Sequence, residues 1–287
     1  MSFLIHKILA LLIGSFCYYV LPRELLQKLT GGSDLPVTRG ADIANLNEDE
    51  FKLAAVDFGA TLLRINYNNN NMNYAAELAE KFGVEYFVLI GRPEQSPEEI
   101  AADILDARSE IGSRRKPKFF SVINEMNEYT YEDLSQVYEA LLSNNYDFKV
   151  PVVKGPHTGI TESAGLKAYF SYFSGKRLDT QDYHDIHYYE KFNKESDSAF
   201  TNIQKRALLT YMLIRLNFKG IPASKVVISE SHDGTTSWNG IVHGDYVFAT
   251  KEGWKDIEKV CNRLGVKAVL YYHAAFLSYS ENEMLDK

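Results

Sequence analysis

Two glutamates sit where side chains can do chemistry. Glu125 follows the apolar run FFSVI in the segment SVINEMN, and Glu230 follows VVIS in VVISESH. Each stands where a strand-length apolar run gives way to a loop. Two carboxyl groups brought together are the smallest machinery that cleaves a glycosidic bond. One, its pKa raised by burial or by its neighbour's charge, protonates the leaving oxygen; the other stays ionised and attacks the anomeric carbon or activates water. A carboxyl separation of about 5 to 5.5 Å selects the covalent, retaining route.

Other apolar runs end in polar residues that suit the same chemistry. Asp42 lies in RGADI, Arg64 in LLRIN, Asn124 precedes Glu125, His157 ends KGPH, and His187 and Tyr189 lie in or directly after DIHY. Arg64 is a permanent cation with a rigid donor fork, fit to keep the Glu230 carboxylate ionised and oriented, or to pair structurally with Asp42. The Tyr189 hydroxyl can donate to that carboxylate, and the Asn124 amide suits a sugar 2-hydroxyl, a contact that strengthens in the transition state. Trp238, with Tyr188, offers a stacking surface to a sugar ring or packs a loop onto the fold. His157 fits a cleft and an ordinary loop equally well.

These residues need a scaffold that gathers strand ends. After Gly31-Gly32 short apolar runs alternate with stretches of helical spacing. The pattern predicts strands at Val37–Ile43, Ala60–Asn66, Glu85–Ile90, Lys118–Asn124, Phe148–Val153, Asp182–Tyr188, Lys225–Ser229 and Lys267–Tyr272. Helices are predicted between them at Asn47–Phe58, Asn73–Phe82, Pro97–Ile111, Tyr131–Ser143, Ser163–Phe173, Ala199–Asn217 and Lys251–Leu264. Ser96 before Pro97, with Glu98 and Glu99 in the first turn, is a helix start; Gly59, Gly83 and Gly265 are helix stops. Eight such units predict a single (β/α)8 TIM barrel, whose strand C-termini form the active face. A doubly wound nucleotide-binding sheet is disfavoured, because neither G-x-G-x-x-G nor a phosphate-binding P-loop is present.

Composition narrows the partners. With 31 Lys+Arg against 38 Asp+Glu the net charge is -7, which gives no positive field for nucleic acid. The 2 cysteines, Cys17 and Cys261, form no CxxC pair. His184 and His187 stand three apart on a strand, hence on opposite faces, so no metal site is expected there. Asn68 to Asn71 and Asn73 read as loop formers. No G-x-S-x-G elbow, first-strand H-x-H or HExxH occurs, and no metal or organic cofactor is implied.

The uncharged stretch ILALLIGSFCYYVL, Ile8 to Leu21, follows His6 and Lys7 and precedes Arg23 and Glu24. It is short for a membrane span of about 20 residues and suits the hydrophobic region of a signal peptide or an anchor. Residues 1–31 are therefore expected to be a signal or membrane-anchor segment and 32–287 the catalytic domain, with the protein secreted or membrane-anchored outside the cytoplasm.

SVINEMN resembles the Asn-Glu-Pro-Asn type motif of glycoside hydrolase clan A, the retaining β/α-barrel glycosidases that include cellulase-like family five and the endo-galactanases. VVISESH is similar to that clan's strand-seven nucleophile motif, ATLLRIN to its second-strand arginine motif, and IHYY to the His-x-Tyr of strand six. The resemblance spans about Val37 to Phe276 and implies Glu125 as acid/base and Glu230 as nucleophile, with Arg64, Asn124, His187 and Tyr189 in support. Met126 replaces the usual Pro, strand eight carries Tyr272 and His273 where many members place a Trp, and Glu128 is a rival acid. The implied activity is hydrolysis of a β-linked oligo- or polysaccharide. A transglycosylase shares half of that cycle, and a silent barrel binding a glycan or protein would keep the same residues.

Overall fold

The computed structural model describes residues 3–67, 71–126, 128–157, 183–190, 201–231 and 251–272, with 159, 167, 274 and 277. Its strands are β1 (Thr38–Ile43), β2 (Leu62–Asn66), β3 (Glu85–Ile90), β4 (Phe120–Val122), β5 (Val152–Lys154), β6 (His184–His187), β7 (Val226–Ser231) and β8 (Ala268–Tyr271). They pair in parallel in the order β5-β4-β3-β2-β1-β8-β7-β6. At the remaining seam β5 lies against β6, and Ser121 of β4 donates to Asp185 of β6 at 2.6 Å. This is the (β/α)8 barrel that the alternation predicts.

The helices are α1 (Phe3–Val20), α2 (Arg23–Thr30), α3 (Glu48–Lys52), α4 (Met72–Phe82), α5 (Pro97–Ile111), α6 (Tyr131–Ser143), α7 (Asn202–Phe218) and α8 (Lys251–Leu264). Local chemistry sets their ends. The Ser96 hydroxyl accepts from the Glu99 N–H at 3.2 Å while the Glu99 carboxylate accepts from the Ser96 N–H at 2.7 Å, a reciprocal cap. Gly59, Gly83 and Gly265 carry φ of +74, +69 and +71, as helix stops require. Asn71 caps α4 through the Tyr74 N–H, whereas Asn73, expected in the loop, lies in the first turn of α4 and accepts from Arg114 Nε at 2.6 Å. The helix expected over 47–58 is not uniform: α3 widens into a π turn at Leu53–Asp57, which sets Phe58 5.6 Å from both Trp254 and Tyr271, ring centre to ring centre. Of the helix predicted at 163–173 only residue 167 is described, and Trp238 lies outside the described residues.

Inside the barrel, alternation decides what faces what. Leu62, Phe87, Phe119, Val153, Val227, Ala268 and Leu270 fill the base, with Phe87 stacked on Phe119 at 4.4 Å and Phe119 on Tyr183 at 4.6 Å. Two residues onward on four of those strands stand Arg64, Ser121, Asp185 and Ser229, all buried. The interior thus turns from apolar to polar within one pleat, on the side where the strands end.

The N-terminal residues form two helices on the barrel's flank. α1 packs against α7 along a narrow side on which Ala10, Gly14 and Cys17 are buried. A Cβ on Gly14 would lie 1.9 Å from the Ala207 carbonyl oxygen, so glycine is what lets the two backbones approach. Arg263 of α8 donates to the Tyr18 carbonyl at 2.8 Å and to the Leu21 carbonyl at 2.7 Å, pinning the corner between α1 and α2. With α1 outside it and the barrel inside it, α7 is buried at every residue from Ala207 to Ile214. Gly14→Ala should therefore cost about 1 to 3 kcal/mol of stability in denaturant unfolding; an unchanged midpoint would show that α1 is not held on α7.

Candidate active site

Arg64 organises the mouth. Its guanidinium is 1% exposed and comes from β2 into a ring of acceptors. Nη1 donates to Glu230 Oε1 in a short contact and lies 3.8 Å from Asp42 Oδ2; Nη2 donates to Asn124 Oδ1 at 2.7 Å. Because the fork takes the amide oxygen of Asn124, what that side chain has left to offer a ligand is its NH2, a donor.

Glu230 reaches this ring through an irregularity. On β7, Val227 faces the interior, so simple alternation would turn Ser229 inward and Glu230 out. Both ladders of β7 shift here: Ile186 pairs with Ile228 but His187 with Glu230, and the three steps from Ile228 to Ser231 span two on β8. The extra residue is a bulge, and it turns Glu230 toward Arg64.

Glu125 is aimed by a different device. After β4 the chain enters the left-handed region at Ile123 (φ +62) and again at Glu125 (φ +52), conformations that are costly for side chains of these types. The end of β5 holds them there. Gly155 donates its N–H to the Val122 carbonyl at 2.8 Å, the Pro156 carbonyl accepts from the Glu125 N–H at 2.9 Å, and His157 hydrogen-bonds the Met126 backbone. Gly155 lies so close that a Cβ would meet the Ile123 carbonyl oxygen at 1.8 Å.

His187 joins the two carboxylates. Its Nδ1 is 2.7 Å from Glu125 Oε1 and its Nε2 is 3.4 Å from Glu230 Oε1. A carboxylate oxygen of each glutamate lies within 4.8 Å of the other's. The Tyr189 hydroxyl donates to Glu230 Oε2. Burial would raise the Glu230 carboxyl, but His187, Arg64 and the hydrogen bonds from Arg64 and Tyr189 overcome it and hold the group down to about 2. Asp42, with Arg64 only at 3.8 Å, does not escape burial and is pushed up to about 7. Burial and the Glu230 charge hold the Tyr189 hydroxyl well above its usual range, so it remains a donor.

Beneath lies a buried polar floor that the sequence motifs did not single out. Asp185 accepts from Ser121, and Lys154 gives Nζ to the Gly155 carbonyl at 3.1 Å, its ammonium lowered to about 7 by burial. The alternation Phe119-Ser121 and Tyr183-Asp185 carried the signal.

Of the sequence-expected residues, Glu125, Asn124 and Tyr189 are partly exposed at the mouth, Glu230 is 6% exposed, and Arg64, His187, Asp42 and His157 are buried behind them. The last four face neighbouring protein groups: Asp42 lies near Arg64, and His157 stays neutral, lowered to about 2 by burial. Tyr272 is half-buried at the end of β8, close enough to feel the charges of Glu230 and Glu125. Glu128, the rival acid, is exposed. Glu125, His187 and Glu230 are the one grouping among the described residues that could hold a metal ion. Arg64, touching Glu230, supplies a fixed positive charge that disfavours a second cation there.

No protein-family model and no curated protein sequence matches the chain. Solved structures do match its fold. A family 128 endo-β-1,3-glucanase from Amycolatopsis mediterranei, solved with laminaritriose, is 14% identical at TM-score 0.50, over 86% of this chain and 92% of that one. A glycoside hydrolase of family 5 from Bacteroides vulgatus is 9% identical at TM-score 0.58, over 85% and 59%. Fungal β-1,4-galactanases are 13% identical at TM-score 0.54, over 88% and 93%. The barrel is the one these glycoside hydrolases use.

The charge balance can be titrated directly. In the native protein Glu230 ionises more readily than an unfolded glutamate, so its stabilising effect is complete above the ordinary glutamate range and is lost as pH falls toward about 2. In Arg64→Met, 13C NMR of labelled glutamate carboxyls should show one resonance whose pKa rises by about 1 to 3 units. An unmoved resonance would remove Arg64 from the account.

Proposed function

We propose that the protein is a retaining glycoside hydrolase that cleaves a β-linked glycan, with Glu230 as nucleophile and Glu125 as acid/base. One distance carries the reading: oxygens of the two carboxylates lie within 4.8 Å, the close spacing of a double displacement rather than the roughly 6.5 to 9.5 Å that leaves room for a water. The unequal surroundings support this division of roles. Glu230 is buried and held ionised, as a nucleophile must be; Glu125 is a third exposed and reaches the space where a leaving group departs. The barrel shared with a β-1,3-glucanase and β-1,4-galactanases supports a β-linked polymer as the substrate class.

In the first half of the cycle Glu125 gives its proton to the glycosidic oxygen while Glu230 attacks the anomeric carbon. Arg64 and Tyr189 each engage one oxygen of Glu230 and leave lone pairs for the attack. The NH2 of Asn124, whose amide oxygen is taken by Arg64, donates to the sugar 2-hydroxyl as the transition state forms. Once Glu230 is an ester, Glu125, which has given up its proton to the leaving group, takes the proton from the attacking water in the second half and Glu230 is released. His187, bonded to Glu125 and facing Glu230, keeps the two in register throughout.

A panel of 2-deoxy-2-fluoro glycosyl fluorides should label the native protein with one sugar on Glu230, read by intact mass and peptide mapping, and should leave Glu230→Gln unlabelled. Adducts on another residue would sink the assignment. On the glycan that labelling identifies, Glu125→Gln should lower kcat by about 10²- to 10⁴-fold. Gly155→Ala, which displaces the segment carrying Glu125 without touching substrate, should lower kcat by about 10²-fold at little change in KM. An unaltered kcat in Gly155→Ala would show that the end of β5 does not aim the acid.

A further inference from the structure

The outer side of α1 has no protein partner among the described residues, and it is apolar along its length. Leu4, Ile8, Leu12, Phe16 and Val20 form a row at four-residue spacing, and a parallel row begins at Ile5. Leu4, Leu12 and Val20 are each 63% exposed and Phe16 is 57% exposed, so the side chains stand out from the surface rather than lining a groove. On α2, Leu25 and Leu29 are exposed as well. A contiguous apolar face of this extent marks an interaction surface.

We propose that this face lies in the interface of a lipid bilayer, with the axis of α1 in the membrane plane and the barrel on the aqueous side. Charge selects lipid as the occupant. Within residues 3–30 the exposed charges are Arg23 and Lys28 against a single acid, Glu24, on a chain whose net charge is -7. Anionic headgroups complement that basic rim while the acyl region takes the leucine and phenylalanine side chains. A second copy of the chain would set like rim against like rim and bring two acidic barrels together. Tyr19, half-exposed at the end of α1, suits the headgroup level. Among the described residues no helix is long and apolar enough to cross a membrane. The small side of α1 is committed to α7 through Gly14, and Arg263 fixes its end, so the helix is positioned to lie on a bilayer as part of the fold.

The test is flotation of the full-length chain with vesicles of phosphatidylcholine alone and of equal parts phosphatidylcholine and phosphatidylglycerol. The native protein should float with the mixed vesicles and less with the neutral ones. Leu12→Glu combined with Phe16→Glu, both on exposed positions, should lower the bound fraction more than about tenfold. Circular dichroism melting of the double variant must match the native protein, which separates lost binding from lost folding. If the melt collapses, Arg23→Glu with Lys28→Glu replaces it, and its vesicle binding should fall selectively on the anionic mixture. The proposal fails if the native protein stays at the bottom of the gradient, or if the variants float as well as it does. It also fails if sedimentation shows a lipid-independent dimer that Leu12→Glu with Phe16→Glu dissociates, or if the mass of vesicle-bound protein shows residues 1–31 removed.

Discussion

A guanidinium sealed from water has to be surrounded by acceptors, and Arg64 sets this requirement for the whole barrel mouth. Its charge cannot be removed at any working pH, so three other strands must bring oxygens to it. Glu230, Asn124 and Asp42 do so, from β7, the turn after β4 and β1. The two acids receive unequal shares. Glu230 has direct contact and two further partners and stays ionised, whereas Asp42 stands off and is pushed toward its neutral form. One buried cation thereby holds one anion reactive without leaving two uncompensated charges in the interior.

Two departures from regular strand geometry put the reactive groups in place, and each is held from a neighbouring strand. The β7 bulge brings Glu230 inward as well as Ser229, opposite His187. The left-handed residues after β4 swing Glu125 in from the other side, and the close approach of Gly155 with the Pro156 carbonyl keeps them there. Strain of this kind persists only when surrounding contacts over-determine it. The polar floor of Asp185, Ser121 and Lys154 adds a hydrogen-bonded layer between this mouth and the aromatic base.

Much of this was legible in residue types. The ends of α5, α6 and α8 fall where capping and periodicity put them, and β3 runs over the predicted residues, because Ser96, Thr130 and Gly83 act locally. The expectation that Arg64, Asn124, Tyr189 and two glutamates meet at one end of the barrel could be read from strand-ending polar residues alone. Strand lengths were harder. β4 and β5 are shorter than predicted, since Ile123 and Phe148 take left-handed conformations that their side chains disfavour and that only the fold imposes. The bulge left no mark either, because Ser229 and Glu230 are equally good strand-ending residues. In the N-terminal segment an all-round apolar pattern spoke for lipid, while the line Ala10, Gly14, Cys17 already carried the signature of a helix docked closely on another.

The two-sided burial of α7 bears on how the protein is handled. A helix on the rim of a barrel ordinarily shows one polar side to water, but Ala207 to Ile214 is covered on both. Trimming residues 1–31, the routine treatment of a leader sequence before expression, would strip the cover and leave a greasy helix face on an otherwise acidic, soluble-looking domain. Such a shortened chain would keep every group at the barrel mouth and still clump on concentration. Recombinant work on this barrel is better served by keeping α1 and replacing its outward leucines than by cutting it away.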